Sequence, residues 1–440
     1  MRLLHTADLH LGRSLHRLPL LDAQAAVLDQ LVTVARDEQV DAVIIAGDVF
    51  DRALPPVEAV RLAGELLRRL AEIAPVLVIS GNHDSAARLG FAGELIAAGG
   101  VHLRTEPGRC ADPLVLEDEH GPVALYGIPY LDPDLARAEL AVEERTHDAV
   151  VGAAMDRIRA DLAARRGATT APVRSIVAAH AFVVGGEPSA SERDIAVGGV
   201  QTVSRRAFDG VDYVALGHLH RPHQLGAAPV AVPVPEPAAA ELDALADLGG
   251  LFALAAEDVR GTTVTAAPAT PRSREPLLRY AGSPLPYSFP EVGDKSVTIV
   301  DLDAEGVADL RTVVLEAPFR LVRARGTLEE LLLDPRLDEH EGEDSWLELT
   351  LTDPELPARP MERLRRRFAR ILVLQHEPEG GTDRARTSGA AERVAGRSDL
   401  EILERFVADV RGRAVEDDER PLLQDALEHA LRTADRDRDR

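Results

Sequence analysis

Cysteine is almost absent from this chain, and its absence excludes two classes of site. The 440 residues contain a single cysteine, Cys110. No internal disulfide can therefore form, and no cluster of thiolates can hold a metal ion. The scarcity agrees with a reducing compartment, so a cytoplasmic location is the expectation.

Long apolar runs are missing as well. No stretch approaches the ~18 consecutive apolar residues that span a bilayer. The first residues already include Asp8 and His10, unlike a signal peptide or a membrane anchor. We therefore expect no membrane association. Aromatic residues make up only 3%, so leucine, valine, isoleucine and alanine must fill the core that a hydrophobic content of 45% allows.

Positive charge is in deficit. The chain has 50 Lys and Arg residues against 74 Asp and Glu, a formal net charge of −24. Taken alone, this charge disfavours a protein that coats itself with nucleic acid, and a solvated acidic surface is the simpler interpretation. One cluster of arginines could still face phosphate groups, although a solvated helix face explains it equally well. The cluster consists of Arg363, Arg365, Arg366, Arg367 and Arg370.

The first half of the chain alternates strand and helix patterns. At about 150 residues per domain, the length predicts two or three domains. Apolar periodicity predicts helices over 21–38, from 55 to about 73, and over 135–165. Short apolar runs between them predict buried strands. This alternation is typical of a layered α/β domain.

Five of these predicted strands end abruptly in side chains that can bind metal. The clearest is the run Val43–Ala46, which ends in Gly47 and Asp48; glycine lets the backbone turn and pass close to a ligand. On an extended backbone, residues two positions apart point the same way, which aligns Asp8 with His10 and His218 with His220. The other two strand ends carry Asn82, His83 and Asp84, and His180.

Each motif alone has an ordinary explanation as a turn or a polar sheet edge, but together they predict a metal centre. The candidate ligands are Asp8, His10, Asp48, Asn82, His180, His218 and His220. Seven ligands are too many for one tetrahedral ion and suit two ions about 3.5–4 Å apart that share a carboxylate, which we predict to be Asp48. Imidazole mixed with oxygen ligands suits Mn, Fe or Zn better than Mg or Ca. The chemistry that follows is phosphoester hydrolysis, with His83 placed for proton transfer and Asp84 orienting it or capping a helix.

These motifs, in this order, resemble the calcineurin-type metallophosphoesterase superfamily. Four segments resemble, residue for residue, the SbcD family of bacterial nuclease subunits. They are Asp8–Gly12, Gly47–Asp51, Gly217–Pro222 and Tyr280–Phe289. The resemblance is clear over residues 1–225 and 276–318. It implies an α/β fold, a four-layer metallophosphoesterase β-sandwich flanked by helices, with a small α+β capping domain and a C-terminal helix pair.

The resemblance also implies a role for each site residue. One ion would be held by Asp8, His10, Asp48 and His220, and the other by Asp48, Asn82, His180 and His218. Both divalent ions would be Mn²⁺. His83 would act beside the scissile phosphate by protonating the leaving oxygen or stabilising transition-state charge, and Asp84 would orient it.

Four regions of the chain follow from the resemblance and from composition. Residues 1–318 form the nuclease domain, interrupted by a Pro/Ala-rich insertion at 226–275 that is either a surface linker or a contact with DNA or a partner. Residues 319–378 form the DNA-capping domain. A flexible linker at 379–398 leads to a helical segment at 399–436. The family implies that this segment grips the coiled coil of an SMC-like ATPase, SbcC; docking on its own domain is the alternative.

We therefore predict a dinuclear-metal DNA nuclease subunit. With an SbcC-like partner it would cut duplex ends as an exonuclease and single strands or hairpins as an endonuclease, in DNA repair, recombination and replication. The family implies a homodimer within a heterotetramer. Two alternatives stay open: a metallophosphoesterase that acts on small phosphate esters, and a non-catalytic adaptor for the ATPase.

Overall fold

A computed structural model of the chain describes residues 1–186, 202–225, 275–291 and 293–378, and scattered positions between 400 and 424. The predicted insertion at 226–275 lies outside the described residues except for Glu275. The predicted linker at 379–398 lies outside them entirely, and the predicted helical segment at 399–436 is described only at those scattered positions.

Strands dominate the described fold. They are β1 (Arg2–Thr6), β2 (Ser14–Leu15), β3 (Leu18–Pro19), β4 (Ala42–Ala46), β5 (Val76–Ile79), β6 (Val101–Arg104), β7 (Leu114–Asp118), β8 (Gly121–Ile128), β9 (Arg174–His180), β10 (Phe182–Val183), β11 (Thr202–Val203), β12 (Tyr213–Gly217), β13 (His223–Leu225), β14 (Leu277–Tyr280), β15 (Lys295–Asp303), β16 (Gly306–Leu315), β17 (Arg320–Gly326), β18 (Ser345–Leu351) and β19 (Ile371–His376).

Helices connect many of these strands. They are α1 (Leu21–Asp37), α2 (Val57–Ala71), α3 (Ala86–Leu89), α4 (Gly93–Ala97), α5 (Pro133–Leu140), α6 (His147–Ala168), α7 (Leu328–Leu333) and α8 (Pro360–Leu364). Short 3₁₀ turns lie at Pro107–Arg109, Arg205–Phe208 and Pro335–His340.

Two six-stranded sheets carry the motifs found in the sequence. The first has the order β16-β15-β1-β4-β5-β6 and the second β13-β14-β12-β9-β8-β7. Strands β1, β4, β5 and β6 are parallel, and so are β8, β9, β12 and β14. Parallel strands end at the same edge of a sheet, where ligands bind in α/β folds. This is why the polar strand ends converge.

Buried apolar side chains arrange the sheets and helices in four layers. One core lies between the two sheets and includes Leu3, Ile44, Leu77, Ile176 and Tyr213. A second core packs α1 and α2 on the outer face of the first sheet. A third packs α5 and α6 on the second sheet. The predicted α/β sandwich flanked by helices is confirmed.

The single helical stretch predicted over 135–165 is wrong, because it is two helices. Ala141 ends α5 in a left-handed conformation with φ of 60°. Thr146 then caps the start of α6, and its hydroxyl accepts a hydrogen bond from the amide of Ala149 at 3.2 Å. Neither glycine nor proline lies at the break, so the sequence lacked the usual helix-breaking residues from which the break could be predicted.

A three-stranded sheet, β17-β18-β19, follows the sandwich. Phe319 stacks on Trp346 with ring centroids 3.9 Å apart. By its internal contacts the chain divides into one unit of Met1–Thr350 with Ala358–Gln375 and another of Leu351–Pro357 with His376–Arg440. The boundary predicted at 319 and the capping role stay predictions. Across the described residues, no helix combines the length and hydrophobicity needed to cross a membrane.

Candidate metal centre

The loops that follow β1, β4 and β12 hold their polar residues in left-handed backbone conformations. The φ angles are 55° at Asp8, 43° at His10, 49° at Asp48 and 105° at His218. Such conformations cost roughly 1–3 kcal/mol for each residue and cluster at functional sites. The extended backbone predicted to align these side chains is therefore wrong. Tight turns beyond the strand ends bring them together instead.

Two glycines allow the loops to approach one another closely. Gly47 has a φ of 91°, and a Cβ there would lie 2.2 Å from Nδ1 of His180. A Cβ on Gly81 would lie 2.1 Å from Oδ1 of Asp48. Because a side chain would clash at either position, glycine permits the contact between neighbouring strand ends, as predicted for Gly47.

Asp8, His10 and His220 form what we call the first half-site. All three are buried, and their ligand atoms lie within 4.8 Å of one another. The Nε2 atoms of His10 and His220 are 3.0 Å apart. Oδ2 of Asp48 lies 3.5 Å from Nε2 of His10.

Asn82, His180 and His218 form the second half-site. The amide oxygen of Asn82 lies 3.0 Å from Nε2 of His180 and 3.0 Å from Nδ1 of His218. Those two nitrogens are 3.3 Å apart. Oδ2 of Asp48 lies 3.4 Å from Nε2 of His180. The same carboxylate oxygen thus faces both half-sites, and all seven predicted ligands come together.

A positive charge would stabilise the two buried carboxylates of the cluster. Burial raises the pKa of Asp8 to about 7. Burial also opposes ionisation of Asp48, but the neighbouring His180 and His10 outweigh it and lower its pKa. Burial disfavours charge on His180, yet Asp48 and Asp8 raise its pKa to about 9. A divalent cation would compensate the two carboxylates in place of that proton, so the donor set fits a metal.

Two of the imidazoles are kept neutral. Burial lowers the pKa of His10 and of His218 well below the ordinary value. Neutral imidazole is the form that binds metal ions. Nδ1 of His180 donates to the carbonyl of Ala46 at 2.9 Å, which leaves Nε2 as its ligand atom when the ring is neutral.

His83 lies at the rim of the cluster and is half-buried. Its Nδ1 donates to the carbonyl of Asp51 at 2.9 Å, so Nε2 is the atom free to exchange a proton. Its backbone amide donates to Oδ1 of Asp48 at 2.9 Å. The ring centroid lies 4.7 Å from that of His10. His83 is therefore next to the ligands and oriented by backbone groups.

The structure corrects the prediction that Asp84 orients His83 directly or caps a helix. Its carboxylate accepts hydrogen bonds from the amides of Val49 at 3.1 Å, Phe50 at 2.8 Å and Gly81 at 2.9 Å. These amides belong to the loops that carry Asp48 and Asn82, so Asp84 holds the two loops together. Burial raises its pKa to about 6, the nearby Asp48 adding to the effect.

The carboxylates behind the first half-site were not among the predicted site residues. Oδ1 of Asp51 lies 3.6 Å from Nδ1 of His10, and Oε1 of Glu291 lies 3.7 Å from Nδ1 of His220. Asp51 is part of the Gly-Asp motif, so its proximity could have been anticipated. Glu291 lies far along the chain from His220, so no local pattern in the sequence indicates that the two are close.

Comparisons with known proteins agree with this geometry. A family model described as calcineurin-like phosphoesterase matches residues 1–222. Another, described as Type 5 capsule protein repressor C-terminal domain, matches residues 317–411. The chain therefore belongs to the calcineurin-like phosphoesterase family. Its donor set and fold are those of a metal-dependent phosphodiesterase.

A curated relative narrows the class. The SbcD subunit of the nuclease SbcCD from Bacillus subtilis (strain 168) is 33% identical over 374 residues, which cover 83% of this chain and 83% of that protein. The chain is thus a homologue of the SbcD nuclease subunit.

Among solved structures, TT1561 of Thermus thermophilus is similar at 14% identity with a TM-score of 0.35, over 72% of this chain and 99% of that one. GAP50 of Plasmodium is similar at 9% identity with a TM-score of 0.33, over 72% and 89%.

Proposed function

We propose that this chain is a manganese-dependent DNA nuclease subunit with two ions in its active site. The observation that carries the proposal is that Oδ2 of Asp48 faces an imidazole of each half-site, at 3.5 Å and 3.4 Å. A carboxylate between two sets of nitrogen and oxygen donors is the arrangement of a shared ligand. One ion would be held by Asp8, His10, Asp48 and His220, and the other by Asp48, Asn82, His180 and His218.

The remaining chemistry belongs to His83. When bound, two divalent ions supply Lewis-acid charge for phosphodiester hydrolysis. Because Nδ1 of His83 is engaged by the carbonyl of Asp51, Nε2 is the atom that would donate a proton to the leaving oxygen. Asp84 fixes the loops of Asp48 and Asn82, and through them it preserves the distance between His83 and the ligands.

DNA and an ATPase are the proposed substrate and partner. The B. subtilis relative is a subunit of the nuclease SbcCD. The second family model reaches residue 411, within the predicted helical segment at 399–436. We propose that this segment binds an SbcC-like coiled-coil ATPase and that the complex, in the cytoplasm, acts in repair, recombination and replication.

The arginine cluster contributes less to DNA binding than its sequence suggests. Arg366 pairs with Glu362 at 3.3 Å and Arg370 with Glu343 at 3.2 Å. Arg367 is engaged by several acceptors, including the carbonyl of Leu331 at 3.0 Å. Arg363 and Arg365, both exposed, are the members of the cluster that we propose to face phosphate.

A second copy of the chain is the proposed partner for an exposed apolar surface around α2 to α4. Arg88 donates to the carbonyl of Ala53 at 3.1 Å and so joins the loop before α2 to α3. Large apolar side chains are exposed on these segments, and such a patch on a soluble protein marks an interaction site. They are Leu54 (68%), Val57 (60%), Val60 (48%), Phe91 (79%), Leu95 (80%) and Ile96 (37%).

The direct test offers DNA to the full chain together with its ATPase partner. Linear duplex and hairpin DNA would be incubated with Mn²⁺, Mg²⁺ or chelator, and a chromogenic phosphodiester would be assayed in parallel. Mn²⁺-dependent cleavage of DNA that is lost in His83→Ala supports the proposal. Turnover of the small ester without cleavage of DNA would instead favour the small-molecule enzyme, and no turnover of either would favour the adaptor.

A further inference from the structure

A buried ion pair lies behind the metal ligand His220. Lys295 is 6% exposed and Glu291 is 8% exposed. Nζ of Lys295 lies 2.7 Å from Oε2 of Glu291. Neither residue was among the predicted site residues, although both follow the Tyr280–Phe289 motif that the sequence shares with the SbcD family.

Lys295 is the only lysine in the chain, since every other basic side chain among the 50 is arginine. Its ammonium donates to three acceptors: the carbonyl of His220 at 3.0 Å, Oγ of Ser283 at 2.9 Å, and Oε2 of Glu291. Three donors thus meet three acceptors around one compact charge. A guanidinium is larger and planar, and its donors do not radiate from one compact charge, which gives a physical reason for lysine at this position.

The network holds His220 from two sides. Its carbonyl accepts from Lys295 and also from the amide of Ser283 at 3.2 Å. On the ring side, Oε1 of Glu291 lies 3.7 Å from Nδ1. Glu291 is itself fixed, because it accepts hydrogen bonds from the amide of Tyr287 at 3.1 Å and from Oγ of Ser288 at 3.0 Å.

Stability alone is a weak reason for such a pair. Replacing a buried ion pair by apolar side chains of similar volume is often neutral or stabilising, because two charges must be removed from water. A carboxylate behind a metal-binding imidazole, by contrast, orients the ring and increases its basicity. The position of this pair, in contact with both the backbone and the ring of one ligand, fits the second role.

We propose that Lys295 and Glu291 are positioning residues that fix His220 for metal binding in the first half-site. The proposal rests on the two-ion centre put forward above and adds to it which residues set the affinity of one ion. The hydrogen bonds and ion pair given above connect this pair to His220, a member of the first half-site, so we expect the effect on one ion.

The test is calorimetric titration of the metal-free full chain with Mn²⁺. The wild-type protein must first bind two ions per chain, each a binding event; a stoichiometry of one ion would overturn the two-ion centre itself. Given two events, Glu291→Gln and Lys295→Met are expected to weaken one of them by about 10- to 100-fold and leave the other unchanged. Glu291→Gln keeps the side-chain shape, so it carries the test if Lys295→Met fails to fold.

A matched control comes from another ion pair, whose cation is buried. Arg174 is 2% exposed and binds Asp118 at 2.9 Å, at the opposite end of β9 from His180. Asp118→Asn is expected to lower the midpoint of thermal unfolding and leave both binding events unchanged. If Glu291→Gln and Lys295→Met behave in the same way, or weaken both events equally, the positioning role is overturned.

Discussion

The two half-sites differ in what lies behind their imidazoles. In the first, carboxylates lie 3.6 Å behind His10 and 3.7 Å behind His220. A cation accompanies each carboxylate, with Arg13 3.4 Å from Asp51 and Lys295 2.7 Å from Glu291. In the second, Nδ1 of His180 donates to the backbone carbonyl of Ala46 at 2.9 Å, and Oδ1 of Asp8, itself a predicted ligand, lies farther away at 3.9 Å.

In the first half-site, side chains set the orientation and basicity of the imidazoles, whereas in the second a backbone carbonyl of the sheet fixes the imidazole of His180. A carboxylate behind an imidazole adds negative charge and raises its basicity as a ligand. The carbonyl of Ala46 fixes the tautomer of His180 with less charge, and no single substitution removes a backbone carbonyl. We therefore expect the first half-site to respond to remote substitutions and the second to resist them. Asp48 should affect both.

Asp48→Ala should have the largest effect because it removes the carboxylate oxygen that lies close to an imidazole nitrogen of each half-site, 3.5 Å from His10 and 3.4 Å from His180. Metal ions contribute several kcal/mol of transition-state stabilisation, which corresponds to a loss of about 10⁴-fold in kcat. The rate of DNA cleavage with Mn²⁺ measures this loss in kcat. Residual activity within about tenfold of wild type would contradict the shared role.

His83→Ala should separate chemistry from metal binding. Loss of a general acid costs about 10²- to 10⁴-fold in kcat, while both half-sites keep their ligands. We expect unchanged metal titration and slower cleavage. His120→Ala, in the turn between β7 and β8, is the matched control and should leave both properties at the wild-type level.

Asp84→Ala should weaken both half-sites to a similar degree, because Asp84 joins the loops that carry Asp48 and Asn82. Three backbone amides lose their acceptor, and a buried unsatisfied group costs about 1–3 kcal/mol. Urea unfolding should show a loss of that order in the free energy of unfolding, and metal titration should show two weakened events. An effect on one event only would disprove this interpretation of Asp84.

Asp51→Asn should have the smallest effect and should act on the first half-site alone. It removes the charge behind His10, with an expected loss of about tenfold in the affinity of one ion. The backbone carbonyl of Asp51 still holds His83, so kcat at saturating Mn²⁺ should stay at the wild-type value. A lower kcat under those conditions would show that the side chain acts in the chemistry.

Much of the site could be predicted because its signals are local. A buried strand that ends in glycine and a polar side chain is visible in a short window, as at Gly47 and Asp48. The parallel sheets then bring such ends together, since their carboxyl edges coincide. For this reason all seven ligands predicted from the sequence are found in one cluster.

What could not be predicted depends on contacts between distant segments. Leu3 pairs with Val300, and this pairing places β15, which begins at Lys295, beside β1. Nothing near Glu291 in the sequence indicates a partner as distant along the chain as His220. The prediction for Asp84 was wrong for a related reason. The sequence shows that Asp84 is adjacent to His83, whereas in the structure its carboxylate accepts hydrogen bonds from amides of the loop that carries Asp48.

The number of ions bound by wild-type protein and by Asp48→Ala tests the central claim most directly. Metal-free protein would be loaded with Mn²⁺, freed of excess, and its metal content measured by elemental analysis, with circular dichroism to show that both proteins are folded. A shared ligand predicts two ions per chain in the wild type and loss of both in Asp48→Ala. One ion retained at wild-type affinity in folded Asp48→Ala would contradict it.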